Sequence, residues 1–268
     1  MKDDSLENLT VRLERNGFRL ALSPEFKAVE NLLALLTGRA LPERYFRQGR
    51  RRNVMLSGQA VIKFYDFHNL SDLLHSGRYA PREVECYHDY VKAFGELEGV
   101  RLPRLFGYFE KRLFGPFYRS NGLLSEYMPD THELTLAELT RTVPLFAHLY
   151  RQCIYHPDMQ FKNVLFHPTS NTLVPIDYMG CNILPQPNWE ALLIILARFL
   201  RTGKVPEDQA RAFLNDVLAA LPELHLSPDR AWNCIQKLHH ITITTHQYRH
   251  PIFLPEELRK EVLRGHDY

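Results

Sequence analysis

One segment limits what this chain can fold into more than any other. Tyr155-His156-Pro-Asp158-Met-Gln-Phe-Lys-Asn163 places Asn163 five residues after Asp158 and directly ahead of an apolar run, Val164-Leu-Phe166. A turn-forming stretch, His167 to Thr172, separates that run from a second one, Leu173 to Ile176, which ends at Asp177-Tyr-Met-Gly180. Two short apolar runs about such a turn predict a β-hairpin. The hairpin would bring Asn163 and Asp177 side by side although they are 14 residues apart. The spacing suits phosphoryl transfer. A loop carboxylate can orient an attacking hydroxyl and take its proton, while an amide oxygen and a second carboxylate hold Mg²⁺ against phosphates.

Bulk properties narrow the setting. A length of 268 residues fits one large domain or two lobes, with enough apolar residues to build a core unaided by disulfides. The net charge of +2 gives no molecule-wide field for nucleic acid, and none is expected as a partner. Cys86, Cys153, Cys181 and Cys234 are far apart and form no Cys-x-x-Cys pair, which reads as reduced thiols in a cytoplasmic protein. The charged N-terminus does not resemble a signal peptide. The longest apolar run, Ala191 to Leu196, is too short to span a bilayer.

Strands precede helices. Residues 5–37 read as mixed, with Phe26, Val29, Leu32, Leu33 and Leu36 at helical spacing. Asn53 to Leu56 and Ala60 to Tyr65 flank the turn Ser57-Gly58, and two further strands are expected at Leu105 to Glu110 and Leu123 to Met128. A helix is predicted from Pro81 to Phe94, a second from about Asp130 through Gln152, and more from Trp189 onward. This order implies an α+β fold in two lobes. The expected boundaries are an N-terminal extension over 1–40, a β-rich lobe over 41–128 and a mainly helical lobe over 129–268.

The pattern His156-x-Asp158-x4-Asn163, followed by Asp177, resembles the protein-kinase-like superfamily, with its HxDxxxxN catalytic loop and DFG metal motif. The resemblance implies a bilobal fold, ATP bound between the lobes, Asp158 as catalytic base, Asn163 and Asp177 as Mg²⁺ ligands, and His156 as a buried scaffold of the loop. Other segments fall in kinase order. Ala60-Val-Ile-Lys63 resembles the VAIK strand and implies that Lys63 grips the α- and β-phosphates. Twenty residues on, Glu83 is similar to the helix glutamate that holds this lysine; Glu85 would point elsewhere. Leu123-Leu-Ser125-Glu126-Tyr127-Met128 resembles the adenine-binding hinge, with Ser125 as gatekeeper and backbone groups of Glu126 and Met128 meeting the base.

Several departures bear on function. The phosphate-covering glycine loop retains only Gly49, within Phe46-Arg-Gln-Gly49-Arg50-Arg-Arg-Asn53. Arginines such as Arg50 are then expected to contact phosphates or an acidic acceptor, or else to form a solvated hairpin. Gln160 replaces the usual catalytic-loop lysine, and Lys162 stands two residues further on as a group able to reach the γ-phosphate. Eight residues separate Gly180 from Trp189, too few for the segment with which protein kinases dock peptides. The chain is therefore similar to shortened bacterial kinases of lipopolysaccharide core sugars (Kdo and heptose), and the arrangement Gln48 to Val54 before Ala60 to Asp66, then Leu102 to Glu110, is similar to small PhoP-regulated kinase-like proteins. What this implies is a cytoplasmic phosphotransferase using ATP and Mg²⁺ on a hydroxyl of a small molecule or envelope glycolipid, with peripheral contact at the inner face of the membrane left open. A Ser/Thr protein kinase, and a nucleotide-binding pseudokinase or regulatory module, are the alternatives. His239, His240, His246 and His250 lack a carboxylate or cysteine at ligand spacing and are not expected to form a metal site.

Overall fold

A computed structural model describes residues 9–76, 79–114 and 117–240. They fall into two units, one running to His88 and resuming over Pro103–Pro129, the other comprising Asp89–Leu102 and the residues from Asp130 onward.

The first unit is built on a seven-stranded antiparallel sheet. In chain order its strands are β1 (Val11–Arg15), β2 (Phe18–Leu22), β3 (Arg44–Arg47), β4 (Arg52–Ser57), β5 (Ala60–Asp66), β6 (Leu105–Phe114) and β7 (Phe117–Glu126). Their spatial order is β1-β2-β6-β7-β5-β4-β3. Within the stretch expected as an N-terminal extension, β1 and β2 form a hairpin, and β2 pairs with β6 from Arg19↔Glu110 to Leu22↔Gly107. Asn16 and Gly17 turn it with φ of 53° and 75°, the two positive values that a type I′ turn requires. The signal was there to read, Val11 and Leu13 alternating with Arg12 and Glu14 ahead of Asn16-Gly17, but β1 is a five-residue, mostly exposed edge strand and the pattern is short.

Strand alternation sorts the sheet's two faces. Ile62 and Phe64 join Phe109, Leu124 and the Leu32–Leu33 pair of helix α1 (Val29–Leu36) in one core. Tyr65 points the other way, into a second core with Phe67, Ala80, Val84, Tyr108 and Leu123. Lys63 shares the Tyr65 face, where helices α2 (Leu70–His75) and α3 (Ala80–Phe94) lie.

In the second unit, β8 (His132–Glu133), β10 (Val164–His167) and β11 (Thr172–Pro175) form one small sheet, and β9 (Ile154–Tyr155) pairs with β12 (Asn182–Ile183). The single helix expected from 130 to 152 is broken. A 3₁₀ stretch, Leu136–Thr142, carries a Thr135/Glu138 capping box, and α4 (Val143–Arg151) then starts afresh with Pro144 in its first turn. Proline there has no N–H to donate backwards, so it begins a helix and cannot continue one. Helices α5 (Trp189–Thr202), α6 (Glu207–Ala219) and α7 (Pro228–His240) complete the unit. Helix α5 is buried on nearly every side from Glu190 to Leu200, as its apolar run demands. No helix among the described residues is long and apolar enough to cross a membrane. His246, His250 and residues 256–268 lie outside the described residues, within which no group of three or more His, Cys, Asp or Glu is placed to hold a metal ion.

Candidate active site

In the first unit the charged centre is Lys63 on β5 and Glu83 on α3. Lys63 Nζ donates to Glu83 Oε1, and Tyr65 Oη, two residues along the same strand face, donates to Glu83 Oε2 at 3.3 Å. Both members of the pair are buried, with 9% and 2% of their surface exposed. Glu85 turns outward and meets Arg82 at 3.1 Å. At the end of β7 the Glu126 amide donates to the Arg104 carbonyl (2.8 Å), and its carboxylate holds the Arg104 guanidinium at 3.2 Å. The Tyr127 amide donates to the Gln59 carbonyl at 2.8 Å, and Met128 is buried. In the β3–β4 turn the Gly49 amide donates to Asn53 Oδ1 (3.2 Å), Arg50 is exposed, and Arg51 is tied to Asp72 and to Tyr79 Oη.

In the second unit, β9 and β12 pair through Tyr155↔Asn182 and Ile154↔Ile183, closing the base of the segment that holds His156, Asp158, Asn163 and Asp177. The β10–β11 hairpin forms in the expected register, Val164↔Pro175 to His167↔Thr172. Just beyond it, the Ile176 amide donates to the Asn163 carbonyl at 2.9 Å, which places Asp177 next to Asn163. Asp177 adopts φ = 65°, a left-handed conformation costly for a residue with a Cβ and tolerated where the surroundings over-determine it. Asn163 Nδ2 donates to the Asp158 carbonyl (2.8 Å) and to Asp158 Oδ2 (3.1 Å), so its Oδ1 points away from both. An amide oxygen and a carboxylate on neighbouring residues are hard donors, of the kind that would suit a Mg²⁺ ion.

Asp158 is held from a further side that no motif announced. Arg198 on α5 and Gln160 in the loop both donate to Asp158 Oδ1. The Arg198 side chain is only 14% exposed. A lone arginine within the apolar run Leu192 to Leu200 must find a carboxylate or water, and that was the available signal. The same helix braces the loop through rings: Phe199 lies 4.6 Å from Phe161 and 4.9 Å from Phe146. At the end of α5 the Cα of Gly203 approaches so closely that a Cβ there would stand 2.3 Å from the Phe161 ring. Lys162 is exposed at the loop surface. His156 is fully buried beneath the loop beside Tyr90 and Tyr178, and burial lowers its pKa to about 4, so it is neutral at physiological pH. Tyr178 anchors the stretch after Asp177 by donating to the Pro175 carbonyl at 2.7 Å.

The chain has the protein-kinase-like fold. It is similar to the solved structure described as WaaP in complex with acyl carrier protein, with a TM-score of 0.53 at 14% identity over 83% of this chain and 100% of that one. WbdD matches with a TM-score of 0.49 at 14% identity over 75% of this chain and 51% of that chain, and the choline kinase LicA from Streptococcus pneumoniae with 0.44 at 9% identity over 88% and 99%. At such identities the likeness speaks for fold alone, and it rests on the first of the three. No protein-family model matches the sequence, and no curated protein does.

Proposed function

We propose that the chain is an ATP- and Mg²⁺-dependent phosphotransferase acting on a hydroxyl of a small molecule or glycolipid, with lipopolysaccharide core sugars as the first acceptors to test. The observation that carries the reading is the convergence of Asp158, Asn163 and Asp177 at the foot of the β10–β11 hairpin. Asn163 Oδ1 and the Asp177 carboxylate would hold Mg²⁺, which would offset the charge of the phosphates. Lys63, fixed by Glu83, provides a directed cation for the α- and β-phosphates. Backbone groups of Glu126 and Met128 are proposed to meet the adenine, with Gly49 and Arg50 toward the phosphates and Lys162 toward the γ-phosphate.

Asp158 orients the acceptor hydroxyl and takes its proton as the new P–O bond forms and the bond from the γ-phosphorus to the bridging oxygen breaks, ADP leaving with that electron pair. Arg198, Gln160 and Asn163 fix the plane of its carboxylate, a positioning role that pre-sets the angle of attack. The eight residues after Gly180 carry β12 and the Asn188 cap of α5, which leaves little chain for docking a peptide and favours a compact acceptor.

The deciding measurement is nucleotide binding and slow hydrolysis with Mg²⁺ in the wild type and in Asp177→Ala. Magnesium-dependent binding and turnover, both lost in the variant, are expected. Binding that needs no Mg²⁺ and survives Asp177→Ala would remove the metal assignment. No nucleotide binding at all would favour the regulatory-module reading.

A further inference from the structure

We propose that one end of the first unit's sheet is a docking surface for an anionic lipid bilayer. Four large apolar side chains project there with more than half of their surface in solvent. Leu113 (52% exposed) and Phe114 (64%) end β6, and Leu70 (71%) and Leu74 (57%) lie on α2. The spacing on α2 accounts for its pair. Residues four apart share one helical face, so Leu70 and Leu74 face outward while Asp72 and Leu73 turn inward, Leu73 packing on the core with Phe67.

The two elements are neighbours. The Tyr118 amide on β7 donates to Ser76 Oγ just beyond α2 at 3.2 Å, and Asn121 Nδ2 donates to the Ser76 carbonyl at 3.0 Å. Tyr118 pairs across the hairpin with Arg112, two residues from Phe114.

Charge is layered at this end, and the layering indicates the partner. Arg51 is half exposed over Asp72, whose side chain is 8% exposed; Arg112 is 45% exposed over Glu110 at 10%, with Nε 2.7 Å from Oε1. Arg119, 45% exposed, lies 3.9 Å from Asp66 and donates to the Phe67 carbonyl at 3.1 Å. Asp72 and Glu110 lie beneath their arginines while the guanidinium groups face out, and Asp66 is 29% exposed, so an approaching surface meets mainly arginines around apolar tips. Arg50, next to Arg51, makes no ion pair among the described residues and leaves the end net positive. Apolar tips ringed by arginine match a bilayer interface carrying anionic headgroups, where the apolar groups enter the headgroup boundary and the cations meet phosphate. A protein partner would more typically seat anchors in well-packed pockets, whereas these four side chains stand out from the surface.

The inference does not require phosphotransfer, since its readout is binding. If the acceptor is a glycolipid, the same surface would bring the protein to it. Flotation of the full chain with phosphatidylcholine vesicles, with and without phosphatidylglycerol, tests it. Binding to the anionic vesicles alone is expected, weakening as salt rises. Leu113→Ser/Phe114→Ser and Leu70→Ser/Leu74→Ser should each reduce it about tenfold or more. Phe114→Trp, which keeps an aromatic tip, should retain binding and shift its emission to the blue when anionic vesicles are added. Failure of the wild type to bind anionic vesicles would overturn the proposal. So would equal binding to neutral ones, unchanged binding by both serine pairs, or a Phe114→Trp emission that stays at its solvent-exposed position.

Discussion

The two units each hold one ion pair at the heart of their functional residues, and the pairs are built to opposite ends. In the first unit Glu83 is consumed: Lys63 takes one oxygen, Tyr65 the other, and the carboxylate side chain is 3% exposed. In the second unit Asp158 receives three side-chain donors, from Arg198, Gln160 and Asn163, yet its side chain stays 31% exposed. A sealed carboxylate serves only to hold its lysine. An open one is held in place while keeping a face for something that arrives. The contrast supports the proposed division between Glu83 as a positioning group and Asp158 as the base.

The sharpest way to break the contrast is to remove the sealed carboxylate. Glu83→Ala leaves Lys63 buried without its main partner and should cost about 3–5 kcal/mol of stability, read by chemical denaturation. Replacing both members, in Lys63→Met/Glu83→Leu, should recover most of that stability while abolishing turnover. A double variant as unstable as Glu83→Ala would mean that the pair supports the fold by more than charge.

His156 tests how firmly the open site is founded. Its folded pKa of about 4 lies below the ordinary 6.5, so the unfolded chain binds a proton that the folded chain refuses. The stability from keeping this ring neutral is complete above about pH 6.5 and drains away as pH falls toward 4, a loss of roughly 3 kcal/mol. His156→Phe should flatten that part of the profile, measured by thermal unfolding against pH. An unchanged slope would place the acid sensitivity elsewhere.

Smaller effects sharpen the comparison at Asp158 itself. Arg198→Met should cost about 1.5–3 kcal/mol, less than Glu83→Ala because the freed carboxylate can reach water. It should also lower kcat about tenfold with little change in KM for nucleotide, and Arg198→Lys should restore part of the loss. If Arg198→Met costs as much stability as Glu83→Ala while kcat stays level, Arg198 is structural only. The smallest change is expected from Gly203→Ala, whose added methyl must displace the Phe161 ring. A loss of about 1–3 kcal/mol should appear in thermal unfolding, with turnover falling alongside as the loop shifts.

Where pattern and structure meet, the agreement has a local cause. Ala60–Asp66 alternates, and alternation alone sends Lys63 and Tyr65 to one face and Ile62 and Phe64 to the other. The β10–β11 hairpin was readable because two apolar runs flank a turn-forming stretch. The β1–β2 hairpin escaped because the alternation of Val11 and Leu13 with Arg12 and Glu14 spans only a few residues of an exposed edge strand, and the helix after Asp130 was drawn too long because periodicity outweighed Pro144.

By itself, then, the amino-acid order determined the central strands of the first sheet and the hairpin that follows the His156 to Asn163 loop, since each depends on neighbours a few positions away. Only the tertiary structure decided that Arg198, 40 residues beyond Asp158, should hold its carboxylate. It likewise decided that acids should lie beneath arginines at the sheet's end. Such pairings depend on how buried helices and strands pack against one another. A buried charge must find its partner wherever packing brings one, and that place is not written in local sequence.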